Sequence, residues 1–384
     1  MNRLFGKDCY LYMIIKNVLV YKENKKFEED TIYIKDGLFV SKNKIDENDD
    51  IIDGDGCYMI PGLIDIHFHG CMGADFCDGT QEAIEIIAKY EASEGITTIV
   101  PATMTVSEEE LFEVMKSAAA YKNEKGAILA GINMEGPFIS KEKKGAQAEE
   151  YIQKPNVKLI RKLQDAAGGL IRLCDIAPEE DGAMEFIEEL KNEVNISLAH
   201  TTANYSTAKK AYDLGACHAT HLYNAMPAFA HRDPGVVGAA FDSKNVYVEL
   251  ICDGVHIHPA VVRATIEMFG ADRVVMISDS MRATGLTDGE YTLGGQAVTV
   301  VGKLATLASD GTIAGSCTNL MDCVRTAVKE LGFPLDTAIG CATMNPAKSV
   351  GIYEKYGSIS EGKVANIVLL NKDLSIKNVI IQKS

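Results

Sequence analysis

The sequence has no tryptophan and no apolar run long enough to cross a membrane. A membrane-spanning helix takes about 20 consecutive apolar residues, and residues 1–8 lack the apolar segment of a secretory signal. Apolar residues make up 47% of the chain and its mean hydropathy is close to zero, as is typical of globular proteins. We therefore expect a cytoplasmic protein that does not bind membranes.

The chain also has fewer positively charged than negatively charged residues. Lysine and arginine number 38 against 54 aspartates and glutamates, which gives a formal net charge of −16. A protein that binds the phosphodiester backbone needs a positive surface. The charge balance therefore argues against nucleic-acid binding.

The ten cysteines include no C-x-x-C pair, which excludes a zinc ribbon and a thioredoxin-like motif. In a reducing cytosol we expect most of them to be small core residues. A chain of 384 residues has room for one barrel of about 250 residues and a smaller domain.

Both ends of the chain alternate apolar and polar residues between short turns. Near the start the pattern covers residues 13–21, 31–40 and 51–60, and near the end it covers two segments after Gly357. Such alternation predicts short strands. We expect residues 1–60 and 350–384 to form one small β-sandwich domain.

Residues 61–349 change to short apolar runs that alternate with amphipathic segments. Thr80, for example, is placed to cap a helix that ends at Gly95. Alternating strands and helices predict a parallel sheet with helical crossovers, and eight such strands predict an α/β fold of the TIM (β/α)8 barrel type for the catalytic domain, 61–349. The candidate strands are LIDIHF (63–68), ITTIVPA (96–102), AILAGINME (127–135), IRLCDIA (171–177), ISLAH (196–200), CHATHL (217–222), VYVELICD (246–253) and RVVMISD (273–279).

Polar residues collect at the carboxyl ends of these candidate strands, where a TIM barrel places its active site. The chain has only eight histidines, and five of them stand at or just past such a strand end. The residues are His67, His69, Glu135, His200, His221, His256 and Asp279. All are of types that bind metals or transfer protons, so their common placement predicts an active site there.

His67 and His69 are two residues apart, so in a strand both imidazoles point to one face and can meet one metal ion. Taken singly, Glu135 could cap a helix and His200 could be a hydrogen-bonded core histidine. Metal binding explains them together. Asp279 ends a buried strand, where a carboxylate beside a metal-bound water can accept a proton and return it to a leaving amine. The pattern predicts a metal-dependent hydrolase.

The fourth candidate strand ends in Cys174, Asp175, Ile176 and Ala177, without the lysine that is carbamylated in many two-metal barrel hydrolases. Glu135 would then have to bridge the metals if two bind. Histidine and carboxylate ligands suit zinc, iron, manganese or cobalt. We expect one or two divalent ions per subunit, with zinc as the first choice.

Longer segments carry a family resemblance. They are PGLIDIHFHG (61–70), MEGPFIS (134–140), KKGAQ (143–147), LAHTTANY (198–205), ATHLYNAM (219–226), HRDPG (231–235), CDGVHIHP (252–259), SDSMRATG (278–285), AGSCTNLMD (314–322), MNPAKSVG (344–351) and GSISEGKVANIV (357–368). Together they resemble the N-acetylglucosamine-6-phosphate deacetylases of the amidohydrolase superfamily, from about residue 13 to the end. The whole superfamily shares the first segment, whereas MEGPFIS, ATHLYNAM and HRDPG are more specific.

The resemblance implies that N-acetyl-D-glucosamine 6-phosphate is hydrolysed to D-glucosamine 6-phosphate and acetate, in amino-sugar catabolism and cell-wall sugar recycling. Asp279 would be the general base and then the general acid. The implied ligands are Glu135, His200 and His221 for the principal metal, with His67 and His69 available for a second.

By the same resemblance, His256 would contact the sugar and the acetamide, whose oxygen gains charge during the reaction. Arginine suits phosphate because its planar fork matches the phosphate oxygens, although an exposed ion pair is the alternative for this loop. The implied phosphate contacts are Asn224 and Ala225 and, from the neighbouring subunit of a homodimer, His231 and Arg232.

The chain departs from the family pattern at two positions. Many members have histidine after K-G-A, where this chain has Gln147, which can donate a hydrogen bond to an acetyl carbonyl or a sugar hydroxyl but carries no charge. Ser280 stands where alanine is commoner, and we expect little effect. Residues 1–12 match no part of the pattern, so we expect Met13 to be the native start or residues 1–12 to be a loose extension.

Two other functions stay open. The same chemistry could act on N-acetylgalactosamine 6-phosphate or on a cyclic amide, because nothing in the sequence distinguishes the C4 epimers. A non-catalytic scaffold of the amidohydrolase type is the second alternative. Such scaffolds lose metal ligands, and this chain has all of them.

Overall fold

The computed structural model describes residues 12–44, 50–123 and 125–382, so the expected extension lies outside the described residues except for Tyr12. The described strands are β1 (Tyr12–Tyr21), β2 (Phe27–Lys35), β3 (Leu38–Val40), β4 (Asp50–Pro61), β5 (Leu63–Asp65), β6 (Gly70–Cys71), β7 (Ala74–Asp75), β8 (Ile96–Ile99), β9 (Ile128–Leu129), β10 (Ile132–Met134), β11 (Ile171–Ile176), β12 (Asn195–Leu198), β13 (His218–Ala219), β14 (Tyr247–Ile251), β15 (Val274–Ile277), β16 (Gly289–Leu293), β17 (Gln296–Val301), β18 (Leu304–Leu307), β19 (Ile367–Leu370) and β20 (Ile376–Ile380). The helices are α1 (Gln81–Ser93), α2 (Glu108–Ala120), α3 (Val157–Ala166), α4 (Ala183–Leu190), α5 (Tyr205–Leu214), α6 (Gly235–Asp242), α7 (Pro259–Phe269), α8 (Leu320–Lys329), α9 (Leu335–Ala342) and α10 (Met344–Ser349).

Strands from both ends of the chain share one six-stranded sheet, in the order β20-β19-β4-β1-β2-β3. β19 runs antiparallel to β4, with Val368 opposite Ile60. The alternating apolar residues of these strands, among them Met13, Ile34 and Ile367, form their own buried cluster. The two ends of the sequence therefore meet in one sheet.

The middle of the chain forms two parallel sheets, in the orders β5-β8-β9 and β10-β11-β12-β13-β14-β15. These strands lie within the eight predicted segments, except that β12 begins one residue earlier, at Asn195, and the third segment is divided into β9 and β10. Backbone hydrogen bonds join the sheets on both sides: Asn133 N donates to Pro101 O, and Asp279 N donates to His67 O, each at 2.9 Å. The alternation of these strands with helices confirms the predicted α/β class.

Helix α1 shows why these segments are helical. Its N-cap Thr80 accepts a hydrogen bond from Ala83 N at 3.1 Å, which satisfies one of the free amides of the first turn. Ile84 and Ile87 are buried against the core, and Gly95 follows the helix with a φ of +83°. Cap, apolar face and terminal glycine agree with the sequence prediction.

A further sheet, the antiparallel sheet of β16, β17 and β18, was not predicted from the sequence. Its buried face, which includes Leu293 and Val298, packs against Met104 and Met281. In the part of the chain that the structure describes, no helix has the length and apolarity that a membrane crossing requires.

Candidate metal centre and active site

The carboxyl ends of the parallel strands open onto a cavity of about 570 Å³, which lies within the usual size range of small-molecule sites. Six of the seven residues that the sequence predicts for the active site line this cavity: His69, Glu135, His200, His221, His256 and Asp279. The seventh, His67, is fully buried beside Glu135. The structure therefore brings all seven to one end of the two sheets.

Glu135 is the centre of this cluster. Its Oε1 lies 3.0 Å from His200 Nε2, 3.1 Å from His221 Nε2 and 3.5 Å from His67 Nε2. Its Oε2 lies 3.4 Å from His69 Nε2. Four imidazoles from three different strand ends thus face one carboxylate.

Three of these residues have a backbone conformation that residues other than glycine rarely adopt. The φ angles of His200, His221 and Asp279 are +43°, +28° and +51°, in the left-handed region that costs non-glycine residues free energy. Such backbone conformations cluster at functional sites, where the surrounding structure holds them. Here the turn after each strand directs its side chain into the cavity.

The hydrogen bonds on the far side of two imidazoles determine what they present to Glu135. His200 Nδ1 lies 2.7 Å from Lys143 O, and a carbonyl can only accept, so Nδ1 carries the proton. His67 Nδ1 lies 2.9 Å from the Glu249 carboxylate and donates in the same way. In the neutral state, each Nε2 therefore presents a lone pair towards a carboxylate oxygen, an arrangement that repels unless a proton or a cation lies between them.

A divalent metal ion fits this arrangement. Neighbouring nitrogen and oxygen ligands of a tetrahedral zinc ion lie about 3.3 Å apart, close to the separations around Glu135 Oε1. Two overlapping groups have ligand atoms within 4.8 Å of one another, namely His67, Glu135 and His221, and His67, His69 and Asp279. His67 Nε2 is buried without a hydrogen-bond partner, as expected for a ligand atom. The donor set suits one or two divalent ions.

The same contacts control the charges of the carboxylates. Burial opposes the ionised form of Glu135, but His67, His200 and His221 outweigh it and hold the pKa of Glu135 well below its ordinary value. Burial likewise opposes ionisation of Asp279, and His69 and His67 lower its pKa. Both carboxylates are therefore ionised at neutral pH.

His256 forms a second pair at the edge of the cavity. Its Nδ1 lies 2.7 Å from Asp253 Oδ2. Burial disfavours the charged imidazole, but the hydrogen bond and the charge of Asp253 raise the pKa of His256 overall. The side chain therefore keeps an Nε2–H donor to a higher pH than an ordinary histidine.

Only some of the other residues that the sequence predicts for substrate binding line the cavity. Asn224, Ala225 and Gln147 line the cavity. His231 and Arg232 lie on an exposed loop and are outside the cavity lining of this chain.

Sequence reasoning missed Glu249 and Asp253. Glu249 Oε2 accepts from His67 Nδ1 at 2.9 Å and from His221 N at 3.0 Å, so one oxygen contacts two of the predicted ligands. The available signal was a charged residue inside the apolar run VYVELICD, because a buried charge needs a partner. Lys141, Lys143 and Lys144 also line the cavity; the sequence predicts no role for them, although Lys143 and Lys144 lie in the segment KKGAQ.

The comparisons with known proteins agree with this geometry. The amidohydrolase family model matches residues 58–382. An N-acetylglucosamine-6-phosphate deacetylase from Bacillus subtilis (strain 168) is 36% identical, covering 95% of this chain and 94% of that protein. An N-acetylgalactosamine-6-phosphate deacetylase from Escherichia coli O157:H7 is 33% identical, with coverages of 84% and 86%. The structure of a variant N-acetyl-D-glucosamine-6-phosphate deacetylase from Mycobacterium smegmatis, in complex with N-acetyl-D-glucosamine-6-phosphate, is 31% identical with a TM-score of 0.88, covering 97% of this chain and 98% of that one.

Proposed function

The chain belongs to the amidohydrolase family, and we propose that it hydrolyses the acetamide of N-acetyl-D-glucosamine 6-phosphate to D-glucosamine 6-phosphate and acetate, a reaction of amino-sugar metabolism. The observation that carries the proposal is the convergence of His67, His200 and His221 on Glu135, beside Asp279, in a cavity of suitable size. The relatives that share the fold act on this class of substrate by name.

We assign the metal ligands as the sequence predicts them. Glu135, His200 and His221 would hold the principal ion, and His67 and His69 would contribute to a second. A divalent ion in such a site polarises a carbonyl oxygen and makes a water molecule more acidic. Zinc is our first choice, with iron, manganese and cobalt as the alternatives that the same ligands accept.

Asp279 would transfer the proton. Its carboxylate lines the cavity, is ionised at neutral pH because its pKa is lowered, and lies 3.3 Å from His69 Nε2. It can therefore accept a proton from the attacking water and return it to the departing C2 nitrogen. This order is a general base followed by a general acid on one residue.

His256 would stabilise charge on the acetamide oxygen. Asp253 holds its Nδ1 and favours the protonated ring, which leaves Nε2–H free to donate at the cavity. A donor already fixed in position stabilises a developing oxyanion without reorganising during the reaction.

The 6-phosphate would lie near Asn224 and Ala225, which line the cavity. His231 and Arg232 are on an exposed loop, so we propose that they reach the phosphate bound in a second copy of the chain. A homodimer follows from that arrangement.

We further propose that the two parallel sheets close into one (β/α)8 barrel over residues 61–349, with a β-sandwich domain from 1–60 and 350–384. The backbone hydrogen bonds between the sheets and the shared terminal sheet support this division. A cytoplasmic location is proposed as well, since the nine described cysteines are free thiols.

Acetate release from zinc-loaded protein tests the function. We expect rapid release from N-acetylglucosamine 6-phosphate and little from the unphosphorylated sugar. The galactosamine epimer is the second candidate, because one relative is named for it, and faster release from that epimer would replace our assignment. No release from any of the three would favour a cyclic amide substrate or a non-catalytic scaffold.

A further inference from the structure

Gln147 is buried at the edge of the metal centre, 2% exposed, on the segment that follows β10. Its Oε1 accepts a hydrogen bond from Thr105 N at 2.6 Å, and its Nε2 donates to Glu135 Oε2 at 2.8 Å. The orientation of the amide is unambiguous, because a backbone N–H can only donate and must face the oxygen. The NH₂ group therefore faces the carboxylate.

Both N–H groups of the Gln147 amide face an acceptor, and its Oε1 keeps one lone pair beside the hydrogen bond from Thr105 N. Besides Glu135, Nε2 lies 3.7 Å from Met104 Sδ, a weak acceptor. An acetyl oxygen, which can only accept, could bind the NH₂ group of Gln147 only by displacing Glu135 or Met104, and a buried donor or acceptor left without a partner costs about 1–3 kcal/mol. This cost disfavours a contact between the NH₂ group and the acetamide of the substrate.

The hydrogen bond from Gln147 can fix the orientation of the Glu135 carboxylate. Its Oε1 faces three imidazoles, whereas its Oε2 faces His69 and Gln147. A hydrogen bond to Oε2 alone fixes the rotation of the carboxylate and so determines which oxygen meets which imidazole. Gln147 is neutral, so it orients the carboxylate without cancelling the charge that binds a cation.

The segment that carries Gln147 also holds a second ligand. Lys143 O accepts from His200 Nδ1, and Gly145, with a φ of +54°, passes so close that a Cβ there would lie 3.4 Å from His200 Cε1. Gln296 of β17 donates to Ala146 O and ties the segment to the antiparallel sheet. Residues 143–147 therefore form hydrogen bonds with two neighbouring proposed ligands, His200 and Glu135.

We propose that Gln147 is a positioning residue that orients Glu135 for metal binding and does not contact the substrate. The proposal rests on the proposed function for the identity of the metal centre. It replaces the substrate contact that the sequence predicts for this position.

The test measures zinc affinity, by competition with a chromophoric chelator, together with kcat and KM at saturating zinc. We expect Gln147→Leu to weaken zinc binding about tenfold to hundredfold, the usual effect of losing a partner of a metal ligand, with KM unchanged. Gln147→His, which has one acceptor and one donor nitrogen, should restore most of the affinity. Unchanged zinc affinity with a raised KM would overturn the proposal.

Gln164→Leu is the matched control. The amide of Gln164 also bonds through both atoms, to the backbone of Ile171 at 2.8 and 3.0 Å, but far from the cavity. It should leave zinc affinity unchanged. If Gln147→Leu does not fold, Gln147→Asn, which is one methylene too short to join Thr105 to Glu135, should show the same loss.

The proposal and the proposed function can fail separately. Zinc affinity is measured without substrate, so weaker binding by Gln147→Leu supports the positioning role even if the wild-type protein releases no acetate. Acetate release by the wild type together with unaltered zinc binding by Gln147→Leu and Gln147→Asn would leave the function standing and refute the positioning role.

Discussion

Glu249 should control the metal centre although it lines no part of the cavity. It is fully buried on β14, and one oxygen accepts hydrogen bonds from both His67 Nδ1 and His221 N. Burial opposes its ionisation, but the contacts with His67 and His218 lower its pKa, so it is charged at neutral pH. A charged acceptor makes His67 a stronger base at Nε2 and holds the ring in place.

The size of the effect follows from these contacts. Glu249→Gln keeps an acceptor for both donors but loses the charge, so we expect zinc to bind about tenfold more weakly, or about 1.4 kcal/mol. Glu249→Leu leaves two buried N–H groups without an acceptor. At about 1–3 kcal/mol each, the free energy of unfolding should fall by about 2–6 kcal/mol, and zinc binding should weaken about a hundredfold.

Chelator competition measures the zinc affinity, and urea denaturation of the metal-free protein measures the stability. Glu91→Gln is the control, because Glu91 is also fully buried, on α1, but forms no hydrogen bond with any proposed metal ligand among the described residues. Burial and the nearby Asp65 raise the pKa of Glu91 well above its ordinary value, so an amide there changes little.

The coupling to His67 is the decisive part. If Glu249 acts through the His67 imidazole, Glu249→Gln should weaken zinc binding far less in the His67→Gln variant than in the wild type. The reason is that the effects of substitutions within one hydrogen-bond network do not add. Full additivity of the two substitutions, or wild-type zinc affinity in Glu249→Gln, would refute the reasoning.

Three further predictions concern the reaction and its pH dependence. Asp279→Asn should lower kcat about 10²–10⁴-fold while zinc stays bound, because the proton acceptor is lost; near-normal turnover would contradict this role. Arg232→Ala should raise KM only for the phosphorylated sugar, and at low substrate concentration mixed dimers with Asp279→Asn should be more active than either variant alone; no gain in activity would place the loop in its own subunit. Folding lowers the pKa of Asp253, so the stability that this group adds is lost as pH falls from 3.8 through the pKa of the folded state. Folding raises the pKa of His256, so the stability that this group adds is lost as pH rises from 6.5 through the pKa of the folded state. The difference in melting temperature between wild type and Asp253→Asn should therefore be largest between pH 3.8 and pH 6.5. A difference that grows at alkaline pH would contradict a stabilising interaction between Asp253 and His256.

Local patterns account for what the sequence predicts well. The spacing of Thr80, Ile84 and Gly95 predicts helix α1, since cap, apolar face and terminator all act within a few turns of one another. Strand alternation predicts that His67 and His69 share a face, but β5 ends at Asp65, and both imidazoles reach Glu135 from the segment that follows the strand. The polar strand ends mark the candidate site, and the structure brings those residues together.

Contacts between distant segments could not be predicted in the same way. The pairing of β19 with β4 and the antiparallel sheet of β16–β18 depend on which apolar faces are available after the rest of the chain has packed. Glu249 looks like an interruption of a strand until β5 and β13 bring His67 and His221 to it.

The sequence by itself determined the α/β class, the approximate positions of the parallel strands and the residue types of a metal-dependent hydrolase, because these depend on local periodicity and side-chain chemistry. Only the tertiary structure decided that Gln147 bonds to Glu135 and Thr105 and that Glu249 supports two of the proposed metal ligands. Hydrogen bonds of 2.6 to 3.0 Å require atoms from separate strands and loops to be placed within a few tenths of an ångström, and that placement is a property of the packed core as a whole.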